Sequence, residues 1–465
     1  MNHDTFDVIV IGAGPAGENA AGRCADGGLA VAIVERELVG GECSYWGCMP
    51  SKALLRPGEV VAAARRVPGA AAAVTGEIDV AAALGRRDAI AGHWDDTGQL
   101  PWLDDKGITL IRGAARLAGE RIVEIDTADG TVRRLDARRA VVLATGTSPA
   151  LPPIPGLVEA APWDNRTITA AKEIPRRLLV LGGGAIGAEM AQAMRRLGSA
   201  EVTVVEGLDR LLPREEPFAG DEVRAAFEAE GIRVITGARL TAVERAGPAA
   251  PLRADLDDGT VIEADEILVA VGRRPNTAAV GLDVVGLEPG RPVEVDDRLR
   301  AIGVPGGWLY AVGDCNGLAL LTHMGKYQAR IAGDVILGKA VTDRSSRDVV
   351  PRVTFTDPQV CAVGLTAAQA TERHLKVRVV DYPTGGVAAA AVAGRGFTGT
   401  SRLVVDEERG VLVGATFTGP ATAELLHSAT VAIAGEVTLD RLWHAVPSFP
   451  TMSEVWLRLL EAYGL

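Results

Sequence analysis

The sequence predicts an α/β chain: two dinucleotide-binding modules in tandem, followed by an α+β domain. Three observations predict it. A unit of strand, GxGxxG, helix and second strand ending in an acid occurs twice, at residues 6–35 and 178–206. Each module closes on an apolar strand that runs into a small-residue turn, at Thr145-Gly146 and at Gly272. The chain from 349 onward alternates strand and helix patterns with no glycine fingerprint.

The first unit opens with Phe6-Asp7-Val8-Ile9-Val10-Ile11, an uninterrupted apolar run of the kind buried in a parallel sheet. Gly12-Ala13-Gly14-Pro15-Ala16-Gly17 follows, then a helical pattern from Glu18 to Gly27 and a strand from Ala30 to Val34 ending in Glu35. Glycines at these positions allow a tight turn and let a pyrophosphate approach the helix N-terminus. The acid can accept hydrogen bonds from a ribose. The second unit repeats this order. Leu178 to Leu181 is the strand, Gly182, Gly184 and Gly187 are the fingerprint, and Val202 to Val205 ends in Glu206. Glu35 lies 23 positions after Gly12, and Glu206 lies 24 after Gly182. A duplication in that register argues for two Rossmann-like modules.

Between the first unit and its closing strand lies Gly40-Gly41-Glu42-Cys43-Ser44-Tyr45-Trp46-Gly47-Cys48-Met49-Pro50-Ser51-Lys52, with two of the five cysteines. Residues five apart in an ideal helix are about 8.6 Å apart at Cα. A disulfide wants about 5.5 Å. A redox bridge therefore needs a broken helix, and Gly47 supplies the freedom. Pro50 marks a helix start. A thiolate at Cys48 would meet the positive end of that helix, which makes Cys48 the better thiolate and Cys43 the exchanging thiol. By spacing alone the pair is equally two small core residues or two metal ligands.

The rest of the chain fills in around these motifs. A helix is expected over Lys52 to Arg56, another over Val60 to Arg66 and a third stretch over Val80 to Trp102. Short strands run from Ile108 to Val142 with a hairpin turn at Asp129-Gly130. Pro149, Pro152, Pro153 and Pro155 form a rigid connector. Trp308 to Asp314 is a strand ending in Gly313-Asp314, where the carboxylate binds a sugar hydroxyl or caps the following helix. The domain limits expected are 1–150, 151–272, 273–346 and 347–465, the third segment returning to the first module. Cys361 is expected in a loop between strands.

Composition narrows the class. A formal charge of −12 argues against a nucleic-acid partner. No apolar run approaches the roughly 18 residues of a membrane helix. Met1 to Thr5 is short and polar, unlike a secretory signal. Five cysteines in 465 residues form no secreted disulfide framework. A cytoplasmic enzyme is expected.

Two nucleotide modules, a cysteine pair after the first and a closing α+β domain resemble the flavoprotein disulfide reductases, the family of dihydrolipoamide dehydrogenase, glutathione reductase and mercuric reductase. The GGxCxxxxCxPSK pattern at Gly40 to Lys52 is the most specific mark, and the resemblance covers essentially the whole chain. It implies an FAD enzyme that oxidises NAD(P)H. Gly12, Gly14, Gly17 and Glu35 would hold FAD, with Thr145, Gly146, Gly313 and Asp314 closing over it and His323 in the segment under the flavin ring. Gly182, Gly184, Gly187 and Glu206 would serve the nicotinamide cofactor, and Arg273 would be a further cofactor-binding residue. Glu206 favours NADH, because a carboxylate repels a 2′-phosphate. Arg210, four residues on, softens that preference. Cys48 would face the flavin, Cys43 would exchange with the acceptor, and Lys52 with Glu189 would form an ion pair at the flavin edge. The C-terminal domain would form a homodimer. No metal site is expected.

One departure is specific. The family places an acid/base histidine before Pro-Thr, oriented by a following glutamate. This chain keeps Glu454 but has Phe449 at the histidine position. Loss of such a group costs on the order of 10²- to 10⁴-fold. His444 reads as a surface or packing residue. Ser44-Tyr45-Trp46 and Glu42 also depart from the family. The acceptor expected is therefore a small disulfide or, alternatively, a quinone-like or metal acceptor taken at an apolar site. A flavin-binding protein without turnover is the third reading.

Overall fold

In the computed structural model residues 4–247 and 250–465 are described. The chain divides into two compact units. One comprises the chain up to Pro50, Asp88–Ala150 and Gly272–Arg347; the other comprises Ser51–Arg87, Leu151–Val271 and Asp348–Leu465.

The first unit is built on a parallel sheet. Strand β1 (Asp4–Ile11) pairs in parallel with β2 (Val31–Glu35) and with the strand Val132–Leu143, and β2 pairs with Thr109–Arg112. The run Val8 to Ile11 is buried, as a strand covered on both faces requires. Helix α1 (Pro15–Asp26) links β1 to β2 and starts on Pro15. The strand Val132–Leu143 is shared. Its first half pairs antiparallel with Ile122–Asp126, and its second half lies parallel between β1 and Leu309–Ala311. The Asp129-Gly130 turn forms as expected, with Gly130 at φ 80°.

The cysteine segment makes two helices. Helix α2 (Gly41–Tyr45) carries Cys43, and helix α3 (Cys48–Arg66) opens on Cys48. The break at Trp46-Gly47 is the distortion the spacing demanded. A Cβ on Gly47 would lie 3.0 Å from the carbonyl oxygen of Glu42. Helix α3 starts four residues earlier than expected and runs on to Arg66 as one helix, with Pro57 inside it. Buried Ala53, Leu54 and Leu55 hold the turn before the proline, so packing outweighs the lost backbone bond.

The expected helical stretch Val80 to Trp102 is interrupted. A helix covers Val80–Ile90, then Gly92–Trp94 forms one tight turn with His93 and Trp94 at positive φ. A further helix, Leu100–Asp105, follows.

The second unit repeats the architecture. Its parallel sheet runs Ile232–Thr236, Glu201–Glu206, Arg177–Leu181, Glu266–Val269, the same order as the four parallel strands above. A three-stranded meander, Leu240–Arg245, Leu252–Leu256 and Val261–Ala264, accompanies it. The C-terminal part is a five-stranded antiparallel sheet backed by Leu426–Ala434 and Glu454–Tyr463. Cys361, expected in a loop, sits in the strand Gln359–Gly364 and is fully buried. The short polar link Thr356-Asp357 hid that strand, since its apolar run is only Val360 to Val363.

Candidate active site

The two fingerprints are the same device built twice. Gly12 has φ 102° and Gly182 has φ 106°. A Cβ on Gly17 would sit 1.8 Å from the Gly12 carbonyl oxygen, and one on Gly187 would sit 1.9 Å from that of Gly182. Only glycine permits either approach. The middle glycines differ in kind. A Cβ on Gly14 meets nothing nearer than Gly41 Cα at 3.9 Å, and one on Gly184 meets nothing within 4 Å. Open space at a helix N-terminus, walled by close-packed glycines, suits a pyrophosphate.

The acids repeat as well. Glu35 accepts from the Ala13 amide at 2.7 Å and from the Glu37 amide at 2.8 Å. Glu206 accepts from Gly183 at 2.7 Å and Leu208 at 2.8 Å. Each carboxylate ties the end of the second strand to the fingerprint loop. The residues present therefore fit two dinucleotides.

In the first unit the cysteine segment crosses the first fingerprint. A Cβ on Gly41 would lie 2.8 Å from Gly14 Cα. Cys43 and Cys48, both half-buried, are hydrogen-bonded to one another. Cys48 Sγ lies 3.2 Å from Thr322 Oγ1, at the N-terminus of the helix Thr322–Ile336. The Cys43 thiol is pushed well above its ordinary range. Its hydrogen bond to Cys48 is the largest cause, then burial and the charge of Cys48, with Thr322 and Lys326 opposing.

A polar chain closes the other side. Asp314 accepts from Thr147 Oγ1 at 2.7 Å, and burial pushes its pKa up. Thr147 in turn accepts from Arg273 Nε at 2.7 Å, and Arg273 pairs with Glu42 at 3.0 Å. Arg273, expected among the cofactor-binding residues, joins the strand Arg273–Pro275 to Thr147 and to the cysteine helix. Asp314 caps no long helix, because the following one begins only at Thr322. Asn276 holds the Thr145-Gly146 turn, donating to the Thr145 carbonyl at 3.0 Å and to that of Gly146 at 3.0 Å. His323 is exposed in the first turn of its helix.

In the second unit Lys52 and Glu189 meet as expected, at 2.7 Å. The other Glu189 oxygen accepts from the Phe355 amide at 2.9 Å, and Lys52 Nζ lies 4.7 Å from the centre of the Phe355 ring. Glu454 is buried. One oxygen takes Arg458 at 2.8 Å, and the other has no hydrogen-bond partner among the described residues. Phe449 is 76% exposed, and His444 is exposed, as read from the sequence.

Sequence reasoning missed Thr322 and the Glu42–Arg273 pair. Thr322 adjoins His323, but only the packing of its helix brings it to sulfur.

The sequence profile described as "Pyridine nucleotide-disulphide oxidoreductase" matches residues 6–332, and that of the family's dimerisation domain matches 350–459. The chain belongs to the pyridine nucleotide-disulphide oxidoreductases. Among curated oxidoreductases of this kind it is 36% identical to a dihydrolipoyl dehydrogenase of Chlorobaculum tepidum, over 97% of this chain and 95% of that one. It is 32% identical to a mercuric reductase of Lysinibacillus sphaericus, over 98% of this chain and 82% of that one. The solved flavoprotein disulfide reductase RclA from Escherichia coli, as a Cu(II) complex, superposes with TM-score 0.85 at 25% identity, covering 99% of both chains. LpdA from Mycobacterium tuberculosis superposes at TM-score 0.86 and 26% identity, covering 99% and 100%. The protein is an FAD-dependent NAD(P)H oxidoreductase of this family. It carries the dimerisation domain. No helix among the described residues is long and apolar enough to cross a membrane.

Proposed function

We propose that this oxidoreductase uses NADH to reduce a low-molecular-weight disulfide through Cys43 and Cys48. The observation that carries this is the hydrogen-bonded sulfur pair, whose Cys48 Sγ lies 3.2 Å from Thr322 beside a glycine cradle for a dinucleotide. Gly12, Gly14, Gly17, Glu35 and Asp314 hold FAD, and Gly182, Gly184, Gly187 and Glu206 hold NADH. Bound FAD supplies the conversion of a hydride into an electron pair for the sulfurs. The chain's own part is then thiol chemistry. Thr322 and the helix N-terminus behind it favour a thiolate at Cys48. Cys43 keeps the proton until an acceptor arrives, and exchange passes through a mixed disulfide. The four domain segments expected from the sequence divide this work: 1–150 with 273–346 for FAD, 151–272 for NADH, 347–465 for pairing two copies.

Anaerobic titration with NADH is expected to raise a long-wavelength absorbance band that Cys48→Ser lacks. Steady-state assay should show a disulfide turned over with NADH in preference to NADPH, and none by Cys43→Ser. Undiminished acceptor turnover by Cys43→Ser defeats this reading.

A second reading keeps the flavin and takes a quinone or metal acceptor. Tyr45 and Trp46 support it, their rings 5.6 Å apart beside Cys43, as do relatives named for mercury and Cu(II). The same assay with quinones and metal ions separates the two.

A further inference from the structure

A redox bridge needs the helix broken between Cys43 and Cys48, and a break leaves backbone groups to satisfy. Helix α2 ends at Tyr45, and helix α3 opens on Cys48. The Tyr45 carbonyl belongs to the last turn of α2, where a helix leaves acceptors without an intrahelical partner. It accepts from the indole Nε1 of Trp94 at 3.2 Å. Trp94 lies 49 positions away in sequence, within the same compact unit.

The turn that carries Trp94 is strained. Gly92, His93 and Trp94 follow one another at φ 55°, 53° and 58°. Glycine takes that conformation freely, but a bulky side chain does not. Such strain persists only where the surroundings over-determine it. Two backbone bonds close the turn, from the Trp94 amide to Ala91 and from the Asp95 amide to Gly92, both 2.9 Å. Asp96 anchors its far end. This buried carboxylate accepts from the Val39 amide at 2.7 Å and from Arg112 at 2.6 Å. Val39 lies just before α2, and its carbonyl takes the Tyr45 hydroxyl at 2.9 Å. The 92–96 segment thus grips α2 at both ends, with Asp96 at the approach, Trp94 at the exit and Cys43 between them. Filling space alone asks for no left-handed turn.

We propose that Trp94 is a positioning residue of the cysteine pair: the strained 92–96 strap holds α2 where Cys43 and Cys48 meet, and so favours closure of their disulfide. The step concerned is the second half of the exchange. Cys43 first bonds to one sulfur of the acceptor disulfide, and the other acceptor sulfur leaves as a thiolate. The Cys48 thiolate then attacks the Cys43 sulfur. The Cys43–Cys48 bond forms, the bond from Cys43 to the acceptor breaks, and the second acceptor thiolate leaves with the electron pair. The acceptor gains two electrons, and the cysteine pair is oxidised. Closure needs the two sulfurs in reach, and a held geometry raises the effective concentration of one about the other. Attack by Cys43 on the acceptor needs no such hold.

This rests on the proposed exchange at Cys43, and the test tells the two apart. Holoenzyme reduced with one equivalent of NADH per flavin is mixed anaerobically with one equivalent of 5,5′-dithiobis(2-nitrobenzoate). Release of the coloured thiolate is followed in time. Wild type should release two thiolates, the second on closure. Trp94→Phe keeps a ring and loses the N–H. It should leave the first release at the wild-type rate and slow the second about tenfold, as loss of one hydrogen bond allows. In dithiothreitol redox buffers its cysteine pair should close with an equilibrium constant about tenfold smaller, a potential higher by about 30 mV. Trp94→Gly relaxes the turn but also lacks the N–H, so its second release should be slowed as well. Bound flavin, counted by absorbance, should match wild type in Trp94→Phe. Both releases slowed alike in that variant, or its flavin lost, would reduce Trp94 to packing and overturn the proposal. An unchanged second release with an unchanged potential would overturn it too. Undiminished first release from Cys43→Ser overturns the exchange at Cys43 instead.

Discussion

A buried carboxyl makes stability depend on pH in a direction that can be worked out. Glu18 titrates near 7 in the folded chain against an ordinary 4.5, chiefly through burial. Between those values the folded state holds a proton that the unfolded chain has released. Stability is therefore greatest below 4.5 and is lost as pH rises through 7. A shift of that size amounts to about 3 kcal/mol at pH 8, from ~1.4 kcal/mol per unit. Glu18→Gln removes the penalty, so urea unfolding should show the variant gaining on wild type steadily from pH 5 to pH 8. An equal difference at both pH values would show that the carboxyl is not held up by burial. At the same scale the Glu42–Arg273 pair explains why an acid is tolerated next to Cys43. Its charge is met at 3.0 Å by a guanidinium anchored to Thr147.

The elements are set by glycines at two close approaches. The third glycine of each fingerprint lets helix and strand meet, with 1.8 Å and 1.9 Å between an added Cβ and a carbonyl oxygen. No rotamer relieves that overlap, since the obstacle is backbone. Gly17→Ala should yield protein depleted of flavin. Gly187→Ala should keep its flavin and raise the KM for NADH at least tenfold. Flavin loss in both, or in neither, would mean that the modules do not bind separate dinucleotides. At this scale much was legible. Both strand–turn–helix units lie where the apolar runs place them, though each helix starts three residues earlier, at Pro15 and at Ala185. The failures have physical causes. Helix α3 passes Pro57 because Leu54 and Leu55 are buried, and the 80–102 stretch breaks at Gly92 because His93 and Trp94 take positive φ. Neither tertiary force is written in local spacing.

Across the described residues, two sheets share the same order of four parallel strands, and the C-terminal part is a five-stranded antiparallel sheet. The antiparallel part belongs to the family's dimerisation domain and leaves large apolar side chains on the surface. Val446 is 82% exposed and Phe449 76% exposed. Leaving such groups in water is costly, at roughly 25 cal/mol per Å² of apolar surface. A second copy covers them in the reading adopted above. Sedimentation should find a dimer, and Val446→Asp should shift it toward monomer at micromolar concentration. An unchanged dimer would place the contact elsewhere.

The sequence by itself determined the duplication, the glycine fingerprints and the cysteine pair, while the cofactor class and the histidine replaced by Phe449 follow from the family resemblance. These are patterns of residue type at short, fixed spacing, and local geometry reads them directly. Tertiary structure alone decided what surrounds Cys43. Thr322, 274 positions from Cys48, lies 3.2 Å from its sulfur, and Glu18 is buried on α1 where Ala16, Gly313 and Gly325 pack closely. Such approaches cross the fold, and burial, which no stretch of sequence states, raises the Glu18 carboxyl.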